Sequence, residues 1–299
     1  MADKVPFLSV LMTAYNRETY IAEAIESVLA SSYKNFELII LDDCSTDKTF
    51  VTASFYVNKD ERIKLYSNDY NLGQFANRNK AIILAKGIYV KFVDSDDKIM
   101  PNGLELMVKA MEAYPAAGIG VPTKYFSEDN LPTVMNPHES VLQHYLGNNH
   151  LCQGPTGVIF KKQILIKAGL FEVPYGILAD TLLNIKIASI SPTVLFEKNL
   201  FFWRRHDEQV TEEQKDNVRM IRERFIILKA VMFYKFLPLN QNEIDLILSN
   251  FIKINSMHFI RYAFRGRFKD ALQIKRDTGL SVSKLVSAIL KNSKSNFFK

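Results

Sequence analysis

The sequence predicts an α/β protein: a mostly parallel, Rossmann-like central sheet flanked by helices, followed by a C-terminal α-helical appendage. Three observations carry this reading. Short apolar runs rich in strand formers alternate with stretches whose apolar residues recur at helical spacing. Three of those runs end on polar or acidic residues. From Thr211 onward the pattern is helical, broken only near Pro238 and at Thr278/Gly279. Strands that alternate with helices need crossover connections, which cover both faces of a parallel sheet.

The elements follow in order. Residues 7–15 read as a first strand. Residues 16–32 read as a helix with Tyr20, Ile21, Ala24, Ile25, Val28 and Leu29 on one face. Residues 36–43 form a second buried strand ending in two carboxylates, and Ser45-Thr46-Asp47 caps a helix to about Val57. Residues 62–68 alternate as a third strand. Residues 73–86 are helical, closed by Gly87. Residues 88–94 make a fourth strand, and Pro101 opens a helix to about Tyr114. Residues 118–126 read as a strand, followed by a loop-rich stretch to about Cys152. Strand, helix and turn follow over 154–172, then a helix over 180–189 and one strand over 193–203.

A chain of 299 residues exceeds the usual single core. The expected division is a domain over 1–207 and a basic helical region over 208–299. Hydrophobic residues at 47% and charged residues at 23% exclude a disordered chain. Two cysteines, Cys44 and Cys152, with no C-x-x-C, exclude a disulfide scaffold and disfavour a zinc site. No apolar run approaches the length of a membrane span, and the first residues lack a signal peptide's pattern. A cytoplasmic protein is expected, free or peripheral on the cytoplasmic face of a membrane. The net charge of +6 is unevenly placed: residues 208–299 carry 17 Lys and Arg against 9 Asp and Glu, while residues 1–207 are slightly acidic. The basic helices mix aromatics with cations over 261–276, as an anionic membrane surface would require. Packing within the domain or a homo-oligomer contact is the alternative use of the same apolar stripes.

Ligands of open α/β sheets bind at the carboxyl ends of the strands. Three strand ends are polar there: Thr13/Tyr15/Asn16/Arg17, Asp42/Asp43 and Asp94/Asp96/Asp97. Clustered carboxylates repel one another, and a divalent cation relieves that repulsion. Taken alone, Asp94-x-Asp96 is also what an acidic turn looks like. It does not stand alone. T-A-Y-N-R-E (13–18), L-D-D-C-S-T-D (41–47), N-L-G-Q-F-A-N-R-N (71–79) and D-S-D-D (94–97) follow in this order.

Together these motifs resemble the family 2 glycosyltransferases, inverting enzymes with the GT-A fold, strongly over residues 7–110 and less closely to about 207. The resemblance implies a nucleotide pocket lined by Thr13, Ala14, Tyr15 and Arg17, with Asp43 accepting from the base, uracil being the expected one. It implies base-side and phosphate-side contacts from Asn71 and Arg78, and Asp94 with Ser95 near the ribose. Asp96, with Asp94 and Asp97, would hold Mn²⁺ or Mg²⁺. The general base would be Asp180, in G-I-L-A-D-T, where Ala179 replaces a frequent Glu. Arg204, Arg205 and His206 would belong to a loop closing over the diphosphate. His150 and Gln153 fall where the family often builds its acceptor cleft. The absence of Q-x-x-R-W argues against a processive synthase.

The implied partners are a nucleotide-sugar donor and a glycan or lipid-linked glycan acceptor, in surface polysaccharide biosynthesis, with no nucleic acid. The alternative is a non-catalytic sugar-nucleotide or glycan-binding protein of the same fold, which Ala179 favours.

Overall fold

The computed structural model describes residues 8–123, 132–197, 199–205, 217–281 and 283. The chain divides into two compact units, Met1–Arg204 and Arg205–Lys299.

The first unit is built on one large sheet. Its strands are β1 (Leu8–Ala14), β2 (Phe36–Asp42), β3 (Ile63–Ser67), β4 (Tyr89–Phe92), β6 (Ile119–Thr123), β7 (Thr133–Met135), β8 (Ile159–Lys161) and β9 (Thr193–Glu197). They lie in the order β3-β2-β1-β4-β8-β6-β9-β7. The pairs β1–β2, β1–β4, β2–β3 and β6–β9 are parallel. β8 runs antiparallel to β4 and β6, and β7 runs antiparallel to β9. β2 is buried along its whole length and β1 nearly so, the signature of strands covered on both faces. The helices α1 (Ile21–Leu29), α2 (Thr49–Val57), α3 (Gln74–Leu84), α4 (Gly103–Ala113), α6 (Lys162–Ala168) and α7 (Ala179–Ile190) alternate with these strands. α1 turns Ile21, Ala24, Ile25 and Val28 inward, the face expected from their spacing.

Several expected boundaries move, each for a local reason. The helices after β1 and β2 start later than expected because both connections stay irregular. Asn16 (φ 51°) and Cys44 (φ 62°) take left-handed backbone conformations. The two loops then lace together: Asn16 N–H donates to Ser45 Oγ, Arg17 N–H to Thr49 Oγ1, Thr46 N–H to Asn16 Oδ1, and Lys48 N–H to Glu18 Oε2. The single strand expected over 193–203 is two. β9 ends at Glu197, and β10 (Phe201–Phe202) leaves the large sheet to pair with β5 (Lys98–Ile99). The stretch expected as loop holds β7 and α5 (Pro137–Gln143), whose start is fixed by a reciprocal Asn136/Glu139 capping box with Pro137 at the first position.

The second unit contains α8 (Asn217–Met232), α9 (Gln241–Phe264) and α10 (Phe268–Thr278). α9 opens on an Asn240/Glu243 capping box, and Gly279 (φ 64°) closes α10. Its core holds Val218, Ile221, Tyr262, Ala271 and Ile274. No helix among the described residues is long and apolar enough to cross a membrane.

Candidate functional site

The strand order reverses at β1, where β2 and β3 lie to one side and β4 to the other. The carboxyl ends of β1 and β4 therefore open a crevice, the position at which such sheets bind ligands. Tyr15, half exposed, and Arg17 leave β1 there. Arg17 spans the crevice, its Nε donating to Asp96 Oδ2 at 3.2 Å.

Beneath this surface lies Arg78, on α3 and 1% exposed. Its Nη2 donates to Asp94 Oδ1 at 2.8 Å and its Nη1 to Asp180 Oδ1 at 3.2 Å. Phe75, Phe92 and Phe171 surround the guanidinium at 5.4, 5.9 and 5.9 Å. With its amide oxygen turned inward, Gln74 accepts from Nη2 at 2.9 Å. Burial opposes the charge on Arg78, but Asp94 and Asp180 outweigh it and hold the group protonated. One buried cation thus joins the acidic motif after β4 to a carboxylate 86 positions later in the chain. Asp180 lies in the first turn of α7, its side chain 19% exposed. Burial pushes its carboxyl up to about 7; Arg78 pulls it down and Asp94 adds to the rise.

The acidic motif splits into two environments. Asp94 and Asp96 keep 28% and 14% of their side chains exposed. Asp97 is buried and accepts from the backbone N–H of Arg204 at 3.1 Å. Burial, then repulsion from Asp94, raises Asp97 to about 7. Arg204 donates from Nε to the Asp96 carbonyl and from Nη2 to Glu23. The segment leaving β10 is therefore fastened to the acidic loop by backbone and side chain together. Lys91, fully buried on β4, donates to the Thr156 carbonyl, and Thr156 Oγ1 accepts from Asp94 N–H. Burial lowers Lys91 to about 7, against the pull of Asp94 and Asp97.

Asp43 is also buried, and its oxygens accept from Asn68 Nδ2, Leu72 N–H and Gly73 N–H at 2.7–2.9 Å. It holds the 68–73 loop in place. Asn77, buried on α3, completes this lattice by accepting from Asn68 and donating to the Leu41 carbonyl. Asn71 is exposed on that loop and accepts from Gly73 N–H.

The structure brings Arg17, Arg78, Asp94, Asp96, Asp97, Asp180 and Arg204 into one connected cluster. Thr13 is half-buried and Ala14 buried at the end of β1, and Ser95 is buried beside Asp94. Arg205 is exposed, and His206 lies outside the described residues. His150 is buried against Ser140 and Asn148, which removes it from an open cleft. Sequence reasoning missed Lys91, Thr156, Gln74 and Glu23. Lys91 alone left a signal, a lone cation in the apolar run 88–93. Among the described residues no group of three or more His, Cys, Asp or Glu side chains converges as a metal cage. Asp94 and Asp96 offer two oxygen donors, the number a hard divalent cation takes when substrate phosphates complete its shell.

The glycosyl transferase family 2 model matches residues 9–170. The chain is 41% identical over 105 residues to the Escherichia coli UDP-Glc:alpha-D-GlcNAc-diphosphoundecaprenol beta-1,3-glucosyltransferase WfgD, covering 35% of this chain and 40% of that one. Matches to the curated relatives span about half of their length. The fold is the GT-A fold seen in S. aureus TarS 1-349 in complex with UDP-GlcNAc, with a TM-score of 0.67, 18% identity and coverage of 95% of this chain and 81% of that one. It is seen also in the mannosyltransferase PcManGT from Pyrobaculum calidifontis in complex with GDP-Man and Mn²⁺, with a TM-score of 0.63, 17% identity and coverage of 97% and 88%.

Proposed function

Because the chain belongs to glycosyl transferase family 2, we propose that it transfers a sugar from a nucleoside diphosphate donor, UDP being the nucleotide, to an acceptor hydroxyl with inversion at the anomeric carbon. The observation that carries this reading is the pairing of Asp180 and Asp94 on the buried Arg78. It sets a carboxylate that ionises near neutrality beside the crevice at the strand ends. A general base works best when its pKa lies near the working pH. Asp180 takes the proton of the acceptor hydroxyl as that oxygen bonds to the anomeric carbon. The bond from that carbon to the diphosphate oxygen breaks on the opposite face, and the nucleoside diphosphate leaves.

Asp94 and Asp96 would hold Mn²⁺ or Mg²⁺, which when bound offsets the charge of the departing diphosphate. Arg17, which pairs with Asp96, would bind the phosphates of the donor. Thr13, Ala14, Tyr15, Asn71 and Ser95 would contact the nucleoside, and Arg204 is fastened to the acidic loop beside them. Asp97 and Asp43 serve as anchors, because both are buried and hold backbone N–H groups of neighbouring loops, Arg204 N–H on Asp97 and Leu72 and Gly73 N–H on Asp43. The acceptor is a glycan or lipid-linked glycan of a surface polysaccharide, extended by one sugar at a time. That assignment is supported by the name of the E. coli relative.

Thermal unfolding of the full chain across nucleotide sugars, with and without Mn²⁺, tests the reading. A ligand that binds only the native state raises the midpoint by mass action. A Mn²⁺-dependent rise with UDP and one UDP-sugar is expected. No rise with any nucleotide would reject the function.

A further inference from the structure

The corner between α9 and α10 exposes a surface to which the proposed transfer assigns no role. Met257, Arg261 and Phe264 recur at helical spacing on the outer face of α9, and Phe268 and Leu272 do so on α10. Phe264 is 89% exposed and Phe268 64%, with Met257 and Leu272 near half. The opposite face is already filled, since Tyr262, Ala271 and Ile274 belong to the core of this unit. Gly266 (φ 71°) makes the reversal, and Arg267 N–H closes it on the Tyr262 carbonyl at 2.9 Å. Both phenylalanines are therefore carried on a hydrogen-bonded turn. Around them, residues 261–276 hold Arg261, Arg265, Arg267, Lys269, Lys275 and Arg276 against one carboxylate, Asp270. Asp270 is committed to Arg267.

We propose that this corner docks on an anionic lipid bilayer, with Phe264 and Phe268 entering the boundary between headgroups and acyl chains and the surrounding cations engaging lipid phosphates. Apolar side chains ringed by Lys and Arg are what such an interface rewards. A two-fold contact between copies of this chain would set the cations against each other. A nucleic acid would use the cations, but it would leave Met257 and Leu272 without a role. The inference is independent of the transfer reaction.

The test is flotation of the full chain with vesicles of phosphatidylcholine, and with equimolar mixtures of phosphatidylcholine and phosphatidylglycerol. Binding to the anionic vesicles alone, weakened by salt, is expected. Phe264→Ala/Phe268→Ala should lose at least tenfold in partitioning without lowering the melting temperature, because both rings are exposed. Arg265→Gln/Lys269→Gln should lose on the order of 30-fold. Equal binding to both vesicle types would overturn the proposal. So would wild-type binding by both variants, which would move the contact to residues 284–299. A dimer or a nucleic-acid complex dispersed by the phenylalanine variant, with no vesicle binding, would overturn it as well.

Discussion

Replacing Arg78 by Met keeps much of its volume and removes its charge from between two carboxylates. The guanidinium is 1% exposed and bonds Asp94 at 2.8 Å and Asp180 at 3.2 Å. Removing one partner of a buried ion pair costs about 3–5 kcal/mol, because the other charge stays buried and uncompensated. For a unit of this size that lowers the melting temperature by roughly 10 °C. The effect on Asp180, the proposed base, has a definite sign. Asp180 is already raised to about 7 by burial, with Arg78 the opposing influence. Without Arg78 its carboxyl should rise further, by about one unit or more. Protonated base is inactive, so at pH 7 turnover falls about fivefold from this cause alone, and it recovers as pH increases. The assay is kcat/KM against pH for wild type and Arg78→Met, with thermal unfolding alongside. A lower melting temperature and an acid limb displaced to higher pH are expected. An unmoved limb with an increased KM for donor would instead assign Arg78 to the diphosphate.

Two further substitutions separate anchors from ligands. Asp97→Ala removes the acceptor that holds Arg204 N–H and should cost about 2–3 kcal/mol, while Asp97→Asn, which keeps an acceptor oxygen, should restore most of it. Thermal unfolding reads both; unchanged stability with altered Mn²⁺ dependence would make Asp97 a metal ligand instead. Asp43→Ala strips three hydrogen bonds from the 68–73 loop and should cost about 3 kcal/mol or more, with faster amide exchange at Leu72 and Gly73. Native stability and exchange, with UDP binding lost, would show that Asp43 reads the base.

The parallel half of the sheet was legible because its strands are continuous apolar runs and its helices keep one apolar face. β7 and α5 were harder to see: Thr133–Met135 is short and largely exposed, so no apolar alternation marks it. The Asn136-Pro137-x-Glu139 cap was nevertheless a readable start signal. β10 reads as a continuation of β9 because the sequence cannot tell that Phe201 and Phe202 pair with β5. At the site, residue types and motif order pointed to Asp94, Asp96 and Asp180, but not to what joins them. Arg78 lies 102 positions before Asp180, and only the folded chain reveals the hydrogen bond they share. The same holds for Asp43 and Asp97. A carboxylate at a strand end looks alike in sequence whether it faces a ligand or anchors a loop, and the difference lies in which backbone N–H groups fold back onto it.

The most direct test of Asp180 as the general base is Asp180→Asn, with UDP affinity measured by calorimetry and sugar transfer measured on the same preparation. The side chain stays nearly isosteric and still accepts from Arg78, so the fold and the nucleotide site should persist. UDP affinity within about twofold of wild type is predicted, with turnover reduced by about 10²–10⁴. Turnover retained in Asp180→Asn would rule out Asp180 as the base, because a group that cannot accept the acceptor's proton would then be sufficient for transfer.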